Sequence, residues 1–224
     1  MRLLLLCGLG LVATLKDPCA PIPDPPRSRE TFWSGMDVEV SIVSPEYERI
    51  STVLMKFSRG GKPVELPQRA RVSCQGIRLE RSADGYTALL RTSLRRDPEY
   101  CCDFVGVERD VAALCIPAPE RPQFSWPLES DSVPRRDDVV VRYYASNGTR
   151  VRVTAQSGSG DARREDAFPP RPDDGDYPLD TTGVTPGPGA ITLTRELEQA
   201  LPSIELHSVR AKVSTSLTVH VAWK

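Results

Sequence analysis

Residues 71–94, RVSCQGIRLERSADGYTALLRTSL, decide the fold because they combine two short strand patterns with the turn that joins them. Asp84-Gly85 favours the positive φ angles that a tight β-hairpin requires. Apolar residues alternate with polar ones on both sides of this turn, which predicts a hairpin with one buried face. The residues assigned to that face are Cys74, Ile77, Leu79, Ala88 and Leu90.

The same two-residue period recurs in several other segments and predicts further β-strands. Strand patterns cover residues 36–42, 50–57 and 217–223. Residues 97–116 indicate a strand followed by a second strand or a helical turn. Residues 139–154 predict a second hairpin with Asn147-Gly148 at its turn.

Two segments depart from the strand pattern. Residues 194–201 predict a two-turn helix, in which Thr194 is the N-cap and Pro202 ends the helix. Residues 157–190 are rich in glycine, proline and aspartate and predict a long flexible loop. No helices alternate with strands, so the sequence predicts an all-β fold. We expect a two-sheet antiparallel β-sandwich with long loops and one short helix.

The chain begins with the pattern of a secretory signal peptide, in which Arg2 precedes a short apolar run and small residues. We assign residues 1–13 to this signal, 14–34 to a proline-rich arm and 35–224 to a single β-sandwich domain. The apolar run is shorter than the roughly 20 residues that span a bilayer. The sequence therefore predicts a secreted, extracellular protein without a membrane span.

The cysteines indicate disulfides, since an exported protein oxidises them. Cys7 leaves with the signal peptide, and five candidates remain: Cys19, Cys74, Cys101, Cys102 and Cys115. An odd number predicts two disulfides and one free or intermolecular thiol, which allows a disulfide-linked dimer. Cys101 and Cys102 are adjacent and are expected to take different partners.

The sequence offers little for catalysis or for metal binding. The imidazole bases are His207 and His220, and neither lies in a catalytic motif, so the protein is predicted not to be an enzyme. Residues 173–176 lack the glutamate that a calcium loop carries at a fixed offset, and no cofactor is predicted. Asn147-Gly-Thr149 is an N-glycosylation sequon at the predicted hairpin tip.

The formal net charge is −1, which does not indicate a nucleic-acid binder. Two segments of the chain nevertheless carry strong local charge of opposite sign. Residues 69–96 carry seven arginines against two acids, and residues 165–180 carry six acids against one arginine. Both are candidates for partner contacts, or they are solvated segments without a partner. The basic candidates are Arg71, Arg78, Arg81, Arg91, Arg95 and Arg96, and the acidic ones are Glu46, Glu48, Asp173, Asp174 and Asp176.

Residues 34–42, SGMDVEVSI, and 74–91, CQGIRLERSADGYTALLR, resemble the secreted poxvirus immune-evasion family. This family includes the viral CC-chemokine inhibitor and the GM-CSF/interleukin-2 inhibitory factor. The resemblance covers residues 35–95 and implies a β-sandwich that binds a soluble host cytokine and blocks its receptor. The excess of 24 arginines over 5 lysines suggests a GC-rich genome such as that of a parapoxvirus.

The resemblance leaves several functions open. The first is a viral decoy that sequesters host chemokines, although the first inter-strand loop has only two acids, Glu46 and Glu48. The alternatives are a ligand of the GM-CSF or interleukin-2 type, or a glycosaminoglycan at a virion surface, which the arginines would contact. A secreted hydrolase is the remaining alternative.

Overall fold

The computed structural model describes residues 31–45, 50–91, 99–108, 111–146, 149–158 and 162–224. Within these ranges the chain forms β-strands in three sheets and no α-helix. The predicted all-β class is therefore confirmed, and the predicted short helix is wrong.

The largest sheet contains eleven of the described strands. They are β1 (Asp37–Ser44), β2 (Ile50–Arg59), β3 (Lys62–Pro63), β6 (Glu80–Ser82), β7 (Gly85–Arg91), β11 (Ser132–Val133), β13 (Arg150–Ser157), β14 (Arg164–Ala167), β15 (Arg171–Pro172), β17 (Gly187–Leu201) and β18 (Ser208–Trp223). Its main order is β14-β13-β17-β18-β1-β2-β7-β6. Most neighbours are antiparallel, but β18 pairs in parallel with β1 and β11.

Two smaller sheets complete the described fold. The four-stranded sheet has the order β5-β4-β8-β9, and the three-stranded sheet has the order β10-β12-β16. Their strands are β4 (Arg71–Cys74), β5 (Ile77–Arg78), β8 (Glu99–Val105), β9 (Val111–Pro117), β10 (Phe124–Trp126), β12 (Val139–Tyr143) and β16 (Asp176–Leu179).

Each small sheet packs on the large sheet, so the protein is a β-sandwich with two cores that share one layer. The first core contains Val209 and Val213 from β18, together with the four-stranded sheet. The second contains Val219 and Val221 from the same strand, together with the three-stranded sheet. These four valines are separated by even numbers of residues and lie on one face of β18. Both small sheets therefore cover the same side of the large sheet.

The opening stretch forms strands as predicted, but they belong to two sheets. β4 and β5 pair in the four-stranded sheet, whereas β6 and β7 form a hairpin in the large one. Gly85 follows the hairpin turn with φ +145°, and a Cβ there would lie 2.4 Å from the Met55 carbonyl oxygen. Leu79 is buried where the chain passes between the sheets, whereas Ile77 is 39% exposed. The assignment of Ile77 to the core is therefore wrong.

The predicted second hairpin is also wrong in its pairing. β12 pairs with β10 and β16, while β13 pairs with β17 in the large sheet. Val141 and Val153 meet across the second core instead of lying side by side. Alternation records which side chains are buried but does not specify whether two strands are neighbours in one sheet. The predicted turn, residues 147–148, lies outside the described part of the chain.

The segment predicted to be a helix lies in the 15-residue strand β17. Its glutamates and leucines favour a helix locally, but β17 pairs with β18 from Gly187 to Leu201. This long pairing buries Ile191 and Leu193 on one face and outweighs the local preference. The predicted loop 157–190 is likewise wrong in part, since it contains β14, β15 and β16.

Two disulfides join neighbouring strands of the four-stranded sheet within the described residues. Cys74 of β4 bonds to Cys102 of β8, and Cys101 of β8 bonds to Cys115 of β9. Successive side chains of a strand point to opposite faces, so Cys101 and Cys102 take different partners. Cys102 faces the first core. Cys19 lies outside the described residues.

Arg195 and Asp173 form a fully buried ion pair between the two cores. The Arg195 side chain is 2% exposed and the Asp173 side chain 0%, with Nε 2.6 Å from Oδ2. Arg195 also donates hydrogen bonds to the carbonyl oxygens of Glu120, at 3.0 Å, and Tyr144, at 2.5 Å. Thr149 donates a further hydrogen bond to Asp173. Asp173 is thus a structural residue, and its assignment to a partner surface is corrected.

Substitution of Asp173 tests this structural role. Asp173→Ala leaves a buried, uncompensated guanidinium, and we expect it to lower the free energy of unfolding by about 3–5 kcal/mol. Asp174→Ala is the matched control, because Asp174 is exposed and should change stability by less than about 0.5 kcal/mol. Urea denaturation measures both. Equally small losses of stability in the two variants would show that the Arg195–Asp173 ion pair contributes little to the stability of the fold.

Tyr143 buries its hydroxyl close to this ion pair. Within the described residues that hydroxyl has no hydrogen-bond partner at ordinary geometry, and the nearby backbone N–H of Gly175 only partly offsets the rise in its pKa. Burial, followed by the negative charges of Asp173 and Asp174, raises the pKa of Tyr143 to about 12. Between pH 10 and 12 the unfolded chain therefore loses a proton that the folded protein keeps. The stability contributed by this group is complete below pH 10 and falls as the pH rises towards 12.

Tyr143→Phe removes the titrating hydroxyl. The variant should be at least as stable as the wild type at pH 7, because it removes a buried polar group without a partner. It should also lose less stability between pH 9 and pH 11. Denaturation midpoints at the three pH values check both expectations, and an unchanged alkaline decline would contradict them.

Candidate binding surface

The outer face of the large sheet carries an exposed apolar patch. Val43 is 47% exposed, Ile50 40% and Leu89 62%, and these residues lie on the neighbouring strands β1, β2 and β7. Val43 and Leu89 are both opposite Thr52, so the three side chains point to the same side. Ile50 is two residues from Thr52 and faces the same way. We call Val43, Ile50 and Leu89 the apolar patch.

The patch lies on the face that points away from both cores. In β1 and β2 the intervening residues Ile42 and Val53 are fully buried, which fixes the outward direction of Val43 and Thr52. Single exposed apolar residues are ordinary on protein surfaces, but these three surround Thr52 on adjacent strands and form one largely apolar area. Half-buried Leu54 extends the same face towards the neighbouring charged strands.

A field of alternating charges borders the patch. A shallow depression of about 420 Å³ on this face is lined mainly by Leu54 and by the charged residues Glu39, Lys56, Glu198, Arg210 and Lys212. Next to it, Glu196 lies 3.7 Å from Arg152 and 3.2 Å from Lys212 across three strands. Such mixed charges contribute orientation and specificity more than affinity.

The acidic candidates do not form one surface. Asp174 and Asp176 are exposed beside the three-stranded sheet, and Asp176 lies 3.9 Å from Arg142. Asp173 is buried in the ion pair described above. Glu46 and Glu48 lie outside the described residues, in the β1–β2 connection that Val43 and Ile50 flank.

The arginine candidates also divide between surfaces and do not form a single basic face. Arg71 and Arg78 lie on the outer side of the four-stranded sheet, and Arg91 is exposed on the large sheet. Arg81 forms an ion pair with Glu65. Arg95 and Arg96 lie outside the described part of the chain.

Both histidines form exposed pairs with carboxylates. His207 Nδ1 lies 2.8 Å from Asp37, and His220 Nδ1 lies 3.0 Å from Glu129. A hydrogen bond from the Ser208 hydroxyl, followed by one from His207, lowers the pKa of Asp37. A hydrogen bond from the backbone N–H of His220 is the main cause of the lowered pKa of Glu129. These surface pairs supply no reason to assign a catalytic role.

Glu99, Cys101 and Cys115 bring three potential metal ligands within 4.8 Å of one another in the described structure. Both cysteines are joined in a disulfide, so neither offers the thiolate that a metal ion needs. The cluster is therefore explained by the disulfide.

Sequence reasoning missed the apolar patch because it followed the buried side of each strand. The sequence nevertheless contains the relevant pattern. Leu89 directly precedes the core residue Leu90, and Val43 lies at an outward position of its strand, where a polar residue is expected. An apolar residue at an outward position of a strand is the pattern that could have identified the surface.

No protein-family model and no curated protein sequence matches this chain. Among solved structures, it is similar to fibronectin type III-like modules of Clostridium thermocellum CbhA, with a TM-score of 0.28 and 11% identity over 84% of this chain and 94% of that chain. It is also similar to the IG1+IG2 portion of DIP-gamma, with a TM-score of 0.21 and 13% identity over 80% and 97%. At these values the similarities carry no argument, and the fold is assigned from the sheets themselves.

In the part of the chain that the structure describes, no helix has the length and apolar character needed to cross a membrane. The two disulfides are compatible with an extracellular protein.

Proposed function

We propose that this protein is a secreted, non-enzymatic viral decoy that binds a host chemokine through the apolar patch and thereby blocks receptor engagement. The observation that carries the proposal is the exposure of Val43, Ile50 and Leu89 on adjacent strands of an open sheet face. An apolar centre with a charged border is the usual composition of a protein-binding surface.

The residues that carry the family resemblance include the strands that carry the apolar patch. Residues 35–95 carry the resemblance, and the same segment supplies β1, β2 and β7 to the large sheet. The patch residues belong to these strands. The resemblance and the exposure of apolar side chains are separate observations, and together they favour this face over the other surfaces.

The sequence that joins β1 to β2 carries two acids, which suit a basic ligand such as a chemokine. Val43 and Ile50 flank the connection that carries Glu46 and Glu48. Acids increase the association rate of a basic partner, whereas Arg91, which lies opposite Ile50 and is exposed on the same face, opposes it. Ligands of the GM-CSF or interleukin-2 type are the alternative, and they would depend on the patch but not on these glutamates.

Leu89→Arg tests the patch in the purified full chain. A charge introduced into the patch and buried by the partner should weaken chemokine binding about tenfold or more, mainly through faster dissociation. Val111→Arg is the matched control, since Val111 is 59% exposed on the outer face of β9 in the four-stranded sheet. Surface plasmon resonance against a chemokine panel, GM-CSF and interleukin-2 measures the effect.

The outcomes separate the alternatives. Nanomolar chemokine binding that Leu89→Arg weakens and Val111→Arg preserves supports the proposal. Tight binding only to GM-CSF or interleukin-2 replaces chemokine with that ligand class. Binding that neither substitution affects places the site elsewhere, and no tight binding to any of these proteins overturns the proposed function.

A further inference from the structure

A second surface cavity lies where the edge strands of two sheets meet. β5 is the edge of the four-stranded sheet and β6 is an edge of the large sheet, and the chain passes from one to the other through buried Leu79. The cavity between them has a volume of about 410 Å³. Its lining includes three arginines, Arg71, Arg78 and Arg81.

Two of these arginines lack a counter-ion among the described residues. Arg81 is paired with Glu65, but neither the Arg71 nor the Arg78 guanidinium forms an ion pair or a hydrogen bond within the described residues. Glu80 also lines the cavity, and it is not paired with either of them. Ser73 lies opposite Arg78 across the β4–β5 ladder, so Arg71 and Arg78 share the outer side of this sheet.

From this arrangement we infer that the cavity binds the sulfate groups of a sulfated polysaccharide through Arg71 and Arg78. A guanidinium presents planar, paired donors that match the oxygens of sulfate or phosphate. Leu66, Pro67 and Tyr86 also line the cavity, and the Leu66 N–H donates a hydrogen bond to the Tyr86 hydroxyl. The site is separate from the apolar patch and does not depend on the proposed function.

A polymer fits this cavity better than a small anion. Both arginines are exposed, and an exposed ionic contact contributes only about 0.2–1 kcal/mol, so a single sulfate ion is held weakly. A chain with repeated sulfates engages several such contacts in one binding event. The two disulfides indicate an oxidising compartment, in which sulfated polysaccharides rather than nucleic acids are the expected polyanions.

Charge reversal in the full chain tests the inference. The double variant R71E/R78E should bind a size-defined heparin oligosaccharide about tenfold more weakly than the wild type at ~150 mM NaCl. Its salt dependence should also be shallower, because fewer counterions are released. The matched control R91E/R150E makes the same change in net charge at exposed positions of the large sheet. It should retain most of the affinity.

Selectivity and folding are measured in the same series. Desulfated heparin should not bind to the wild type, and polyaspartate and single-stranded DNA should bind more weakly than heparin. Equal losses in both double variants, or polyaspartate or DNA binding as tight as heparin binding, would overturn the inference. Thermal unfolding checks that each variant is folded. Chemokine binding by R71E/R78E should be unchanged, which would show that the loss of heparin binding does not involve the apolar patch.

Discussion

The buried pair of Arg195 and Asp173 is the constraint on which the two-core architecture depends. A guanidinium removed from water is costly unless its donors are satisfied, and here the chain supplies one carboxylate and two backbone carbonyls. These acceptors come from Glu120, Tyr144 and Asp173, in three separate connections. One side chain on β17 therefore fixes the segments that lead into and out of the three-stranded sheet.

The position of this pair explains why one long sheet serves two cores. Along β17, Leu193 belongs to the second core and Leu201 packs against the first, with Arg195 between them. A purely apolar junction would allow the small sheets to slide over the large one, because hydrophobic contact is non-directional. Directional hydrogen bonds at the junction specify a single arrangement, which is a role that buried polar groups have in some folds.

Alternation in the sequence predicted the fold class and the strands β1 and β2, because one-sided burial leaves a two-residue period. It did not predict which strands pair, since Val141 and Val153 show the same pattern whether they are neighbours or face each other across a core. Residues 194–201 were predicted as a helix instead of a strand, because their local preference is helical and the pairing with β18 that outweighs it cannot be read from the segment itself. Asp173 was placed on the surface because no local pattern identifies an acid whose partner lies 22 residues away.

The sandwich places the two proposed binding sites on the outer faces of different sheets. The apolar patch is on the outer face of the large sheet, whereas Arg71 and Arg78 are on the outer side of the sheet packed against it. β4 is joined to β8 by a disulfide, and Leu90 of β7 is fully buried in the core between the sheets. A rigid, packed core offers no two-state element through which one site could change the other. Binding at the two sites would therefore be independent, without cooperativity between them.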